Sequence, residues 1–233
     1  MGQYSDYKTP LKSIPMAFQL SSIYYLAEHV ISTVKHFLFE LMFLLFMLVG
    51  LGLQSVAQTS ESPVNVPPNL KNFILKGYEV LDITKGDLNR DAYPDAIMVL
   101  FKKGERETSN VIDHPEKRPL LILIGQANKT YKMAARSDNA VYCVDCGGQM
   151  GDPFTGITIK NGYFSVEHYG GSGWRWTRII TFKYSTADKN WFLHKDGGER
   201  FHATSHEEVK IPVKTVKDFG KVPFNKFDIY KDK

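Results

Sequence analysis

The 233-residue chain has no run of basic residues long enough to track a phosphate backbone. Its formal net charge is only +4, and its lysines and arginines are scattered among acids, so nucleic acid is not an expected partner. It contains no G-x-S-x-G, no H-E-x-x-H and no phosphate-cradling glycine loop, which removes the familiar hydrolytic and nucleotide signatures. Cysteine is scarce: the two residues, Cys143 and Cys146, stand together in "CVDC", and neither lies behind the apolar leader where a lipid would be attached. Beyond Ala57 no segment carries a convincing helical period. With 43% hydrophobic and 23% charged residues, what remains is an ordinary globular composition and one main domain.

An apolar run of the length needed to span a bilayer, about 20 residues, is also missing. The uncharged stretch "LMFLLFMLVGLGL" covers Leu41 to Leu53 and is bounded by Glu40. It is followed by "QSVAQ", in which the small residues Ser55 and Ala57 flank Val56. This is the pattern of a signal-peptide apolar region and its cleavage site, with the cut expected between Ala57 and Gln58. Residues 1–57 are therefore read as a signal segment with a long leading portion, which shortens to an ordinary export signal if translation starts near Val34. A periplasmic or secreted protein is expected, touching a membrane only through an uncleaved signal segment. Residues 58–72, "QTSESPVNVPPNLKN", read as a flexible leader, and 73–233 as the folded domain.

Short runs rich in β-branched and aromatic residues fill that domain, among them "DAIMVLF", "PLLILIG", "NAVYCV", "GITIK", "YFSVEHYG" and "RIITFKYS". Asn-Gly in "KNG" (160–162) predicts a type I′ hairpin, and "TADKN" (186–190) a second one. "NLKNFILKGYEVL" has the makings of a short helix at the domain entrance. The expected fold class is mainly β: an antiparallel meander in sandwich-like or blade-like sheets. Near the end, Pro212 and Pro223 argue against a helix, and a final strand or arm should pack Phe224 and Phe227 onto the domain.

Residues 86–95, "GDLNRDAYPD", gather oxygen-bearing side chains at alternate positions. Calcium takes six to eight oxygen ligands, and Asp87, Asn89, Asp91, the Tyr93 carbonyl and Asp95 are spaced to supply most of them. An EF-hand is excluded, because Ala92 stands where that loop needs glycine. With the apolar strand that follows, "GDLNRDAYPDAIMVL" resembles the FG-GAP or VCBS-type repeat, the calcium-loop blade unit of integrin-α-like β-propellers. The match rests on Gly86, Asp87, Asn89, Asp91 and Asp95, and no second copy is found. The resemblance thus implies a structural calcium loop, not a propeller; a polar turn satisfied by its own backbone is the competing reading.

Three further constellations stand out. "CVDC" reads as a local disulfide in an oxidising compartment; zinc would need further ligands such as His202 and His206, and a redox role a βαβ setting. In "EHYGGSGWRWTR" Trp174 and Trp176 fall on one face of a strand with Arg175 and Thr177 opposite, so Tyr169, Trp174, Arg175 and Trp176 mark a partner surface for a glycan or protein. Asp145 or Asp152 with His168 would serve a hydrolase acting on an extracellular polymer. The expected role is an exported, non-catalytic binding module with a calcium loop; the hydrolase and the cysteine-dependent protein are the alternatives.

Overall fold

The computed structural model describes residues 64–205 and 207–231, together with Lys35 and Met42. The signal segment and its cleavage site otherwise lie outside the described residues. Among these, no helix is long and apolar enough to cross a membrane.

Among the described residues nine strands form two antiparallel sheets, each a plain meander. The first holds β1 (Tyr78–Gly86), β2 (Asp95–Lys102), β3 (Leu120–Gly125) and β4 (Tyr131–Ser137); the second holds β5 (Phe154–Lys160), β6 (Tyr163–Gly171), β7 (Trp174–Ser185), β8 (Asn190–His202) and β9 (Glu208–Thr215). The mainly β expectation holds, in its sandwich form. Ile97, Val99, Leu120 and Ile122 of the first sheet meet Phe164, Val166, Ile180 and Phe182 of the second in one core. Phe224 and Phe227 complete it: Phe224 packs edge-on against Phe164 and Phe182 at 5.6 and 5.2 Å, and Phe227 against Phe182 at 5.4 Å. The C-terminal arm therefore belongs to the core, as its phenylalanines predict.

The uninterrupted apolar runs of β2 and β3 follow from burial on both faces. Their second face, with Ala96, Met98, Leu121 and Leu123, is covered by Leu70 and its neighbours Val66, Phe73 and Ile74. Pro68–Phe73 is a 3-10 helix with Leu70 fully buried, so the flexible-leader reading of 58–72 is corrected over this part. The proline-rich composition that suggested a linker instead starts the helix, since a proline at the first position has no amide to leave unpaired.

Both predicted hairpins form. Asn161 and Gly162 have φ of 52° and 77° and join Lys160 to its partner Tyr163, as a type I′ turn requires. Ser185 pairs with Asn190 around the second turn. "NAVYCV" is not a strand: it runs through bends and turns, and its apolar residues are explained by Ala140 and Val141 plugging the core.

Candidate functional site

β7 and β8 are the longest strands, at 12 and 13 residues, and they outrun the first sheet. One half of their core-facing side is sealed by the sandwich; the other half carries Trp174, Trp176 and Arg178 of β7. Register continues this row sideways, pairing Trp176 with Arg200 and Arg200 with Val209, then Gly198 with Ile211. The loop between β4 and β5 lies over part of this face. Its Tyr142 ring stands edge-on to Trp176 at 5.8 Å and to His168 at 5.0 Å. Between Tyr142 and β9 a cleft of ≈ 290 Å³ opens, bordered by Trp176, Arg178, Asp196, Gly198, Ile211 and Lys214.

Polar groups of the cleft are held firmly. Arg178 grips Asp196 with two parallel bonds, Nε to Oδ1 at 3.0 Å and Nη2 to Oδ2 at 2.7 Å, and its Nη1 donates to the Tyr142 hydroxyl at 2.7 Å. Burial opposes the Arg178 charge, but Asp196 and Tyr142 more than offset it and hold its pKa above the usual value. Trp176 sits flush on Gly170, where a Cβ would come within 2.5 Å of the indole. That contact demands glycine for closeness, not for backbone freedom.

The loop over the cleft is tethered from several sides. Cys143 and Cys146 are disulfide-bonded, as expected for "CVDC". Asp145 accepts from Ser109 Oγ at 2.6 Å and from the Val111 amide at 2.7 Å. Arg118, only 1% exposed, donates to both Asp152 oxygens at 2.7 and 2.6 Å, and also to Glu105 and to the Tyr142 carbonyl. Burial pushes the Glu105 carboxyl up, and Arg118 holds it partly back. On the far side the Ile229 amide donates to Asn139 O at 2.9 Å and the Tyr230 hydroxyl to Val141 O at 3.2 Å.

No known protein family, curated protein or solved structure matches the chain.

The predicted partner residues divide between two faces. Trp174 and Trp176 share the cleft face, since their β8 partners His202 and Arg200 are two residues apart. Tyr169 and Arg175 lie on the opposite side: Tyr169 pairs with Thr177 and Arg175 with Phe201, and Tyr169 stacks on Phe201 at 6.5 Å. A single surface of all four is corrected to the tryptophan row alone, because successive strand residues alternate faces. Tyr142, Asp196, Ile211 and Lys214 were not singled out by the sequence. Only the nearness of Tyr142 to "CVDC" hinted at any of them.

The hydrolase candidates are committed elsewhere. Asp145 and Asp152 hold the loop as described, and Asp152 also accepts from the Phe154 amide at 3.0 Å. His168 is 2% exposed, and its Nε2 accepts from the Tyr142 amide at 3.3 Å. Burial and the neighbouring Arg178 depress its pKa to about 3, so it is neutral near pH 7. The cysteines, bonded to each other, offer no thiolate to zinc. His202 Nδ1 accepts from the Ser205 amide at 3.2 Å, and His206 lies outside the described residues.

The "GDLNRDAYPD" loop joins β1 to β2, with Gly86 opposite Asp95. Asp95 is fully buried and closes it, accepting from the Leu88 amide at 2.8 Å and from the Gly125 amide of β3 at 2.9 Å. Asp87 Oδ1 accepts from the Arg90 amide, Asn89 Oδ1 from Asp91, and Asp91 Oδ1 from Tyr93. These are Asx-type turn bonds. Desolvation raises the Asp95 pKa, and repulsion from Asp91 and Asp87 adds to the rise. Asp87, Asp91 and Asp95 do not bring three carboxylate oxygens mutually within 4.8 Å among the described residues. A calcium ion bound through all three would need them drawn closer, while each ionised carboxylate keeps spare lone pairs to offer.

Proposed function

We propose that the protein is an exported, non-catalytic binding module whose ligand seat is the cleft between Trp176 and β9. The observation that carries the reading is the half-buried Trp176, fixed on Gly170 and bordered by the ordered Arg178–Asp196 pair. Rigid aromatic area beside a few preset polar groups is what a recognition site uses. The hydrogen bonds that already hold Asp145 and Asp152, and the burial of His168, favour binding over hydrolysis. Export is supported by the leader sequence and by a disulfide suited to an oxidising compartment.

A structural calcium ion at Asp87, Asn89, Asp91, the Tyr93 carbonyl and Asp95 is part of the same proposal. Its support is the FG-GAP-like spacing together with the repulsion of Asp95 by Asp91 and Asp87, which a cation would relieve. The role is a staple between β1 and β2, remote from ligand chemistry.

The binding reading is tested by presenting the protein and its Trp176→Ala variant to immobilised saccharides and to extracellular proteins. Retention by the parent alone, with both proteins folded, supports it. Chemical conversion of the retained ligand would replace it with the hydrolase reading.

A further inference from the structure

We infer that the cleft takes an acidic saccharide, one carrying carboxylates and hydroxyls close together; this rests on the cleft being the ligand seat. The charge pattern of the face carries the inference. Arg178 and Asp196 neutralise each other. Lys214 borders the cleft and Arg200 stands beside it, and neither has an ion-pair partner among the described residues. The Arg200 guanidinium lies 5.2 Å over the Trp174 ring, which keeps it on the cleft side. Glu208 pairs with Phe201 and so points to the other side of the sheet. The open face thus presents two uncompensated cations and an aromatic row.

Asp196 narrows the ligand further. Its two oxygens each accept one bond from Arg178, and an ionised carboxylate has lone pairs left over. Those lone pairs accept hydrogen bonds but donate none, so the ligand must bring hydroxyl or amide donors to the same cleft that its anionic groups enter for Lys214. A glutamate- or aspartate-rich peptide brings carboxylates to the cations, but the only donors it offers Asp196 are backbone amides, set apart from those carboxylates on the flexible side chains. A uronate-type sugar carries donors and a carboxylate on one ring, and its apolar ring face suits Trp176. Gly198 lets β8 close on β7 beside the cleft, since a Cβ there would come within 2.0 Å of the Thr177 carbonyl oxygen.

The probes are tri-galacturonic acid, its fully methyl-esterified form and a tri-glutamate peptide of equal charge, each titrated calorimetrically into the whole folded protein at low and moderate salt. The acidic trisaccharide is expected to bind at least about tenfold more tightly than its ester, a preference that fades as salt screens it. The double variant Lys214→Glu, Arg200→Glu should lose that preference while keeping the melting temperature, since both residues are exposed on the strand surface. Equal binding of acid and ester, tighter binding of tri-glutamate, or no saccharide binding overturns the inference. Trp176-dependent binding of the ester, or of another immobilised ligand, would leave the cleft as ligand seat and remove only its acidic specificity.

Discussion

The Tyr142 hydroxyl receives a 2.7 Å hydrogen bond from Arg178 Nη1, and this bond joins the loop to the sheet. Tyr142 is the residue before the disulfide, and Arg178 orients Asp196 in the cleft. The covalent closure of Cys143 to Cys146 thereby fixes one wall of the cleft proposed as the ligand seat.

Reducing that disulfide, or replacing both cysteines with serine, should weaken the cleft more than the fold. Its loop is short, so the chain-entropy contribution is about 2 kcal/mol. The melting temperature should fall by several degrees with the sandwich intact by circular dichroism, and ligand affinity should fall at least about tenfold.

Arg118→Ala should be far more damaging. It leaves Glu105 and Asp152 facing each other without their cation, a loss of about 3–5 kcal/mol. Replacing Arg118, Glu105 and Asp152 together with apolar residues of similar volume should recover much of that loss, and urea unfolding measures both.

His168 gives a pH signature with a definite sign. An unfolded histidine titrates near 6.5, whereas folded His168 titrates at about 3. The stability gained by keeping it neutral is complete above pH 6.5 and is lost as pH falls toward 3, by on the order of 4 kcal/mol. Glu105 and Asp95, with raised pKa values, act in the opposite sense, so the comparison must be parent against His168→Gln. The difference in unfolding free energy between the two should shrink steadily from pH 7 to pH 4. A pH-independent difference would show that His168 is not buried neutral.

Gly170→Ala should unseat Trp176. The new methyl group would meet the indole at 2.5 Å and the Gly147 backbone at 3.0 Å, costing about 1–3 kcal/mol. Tryptophan emission should shift to the red as the indole moves toward solvent, and ligand binding should weaken in step.

The cation loop separates two roles among its aspartates. Asp95→Ala removes two buried bonds to backbone amides and should destabilise by about 3 kcal/mol even in chelator. Asp91→Ala touches an exposed turn and should cost under about 1 kcal/mol in chelator. If calcium binds, it raises the melting temperature of the parent and not of Asp91→Ala. No calcium effect on the parent would leave "GDLNRDAYPD" as a polar turn.

Much of this was legible in the chain. Asn161-Gly162 announced its hairpin, Phe224 and Phe227 announced their place in the core, and Trp174 and Trp176 fell on one side of β7. What could not be read were relations set by register. Two irregularities in the β8 pairings, one opposite β7 and one opposite β9, decide which residues of β8 and β9 face Trp176. The first places Asp196 on the Trp176 face, and the second, between Asp196 and Gly198, brings Lys214 opposite it. The apolar "NAVYCV" misled because a core plug and a strand bury the same kinds of side chain, and Leu70 was hidden in a proline-rich stretch that resembles a linker.

The most direct test of the ligand seat is retention of ligands from a saccharide array by the parent, by Trp176→Ala and by Ile211→Asp, each first shown to be folded. Ile211 is 41% exposed, so its replacement should spare the fold while placing an acid at the cleft rim. Retention by the parent that both variants lose by about tenfold or more is the predicted result. Retention unchanged in both variants would contradict the assignment of the cleft.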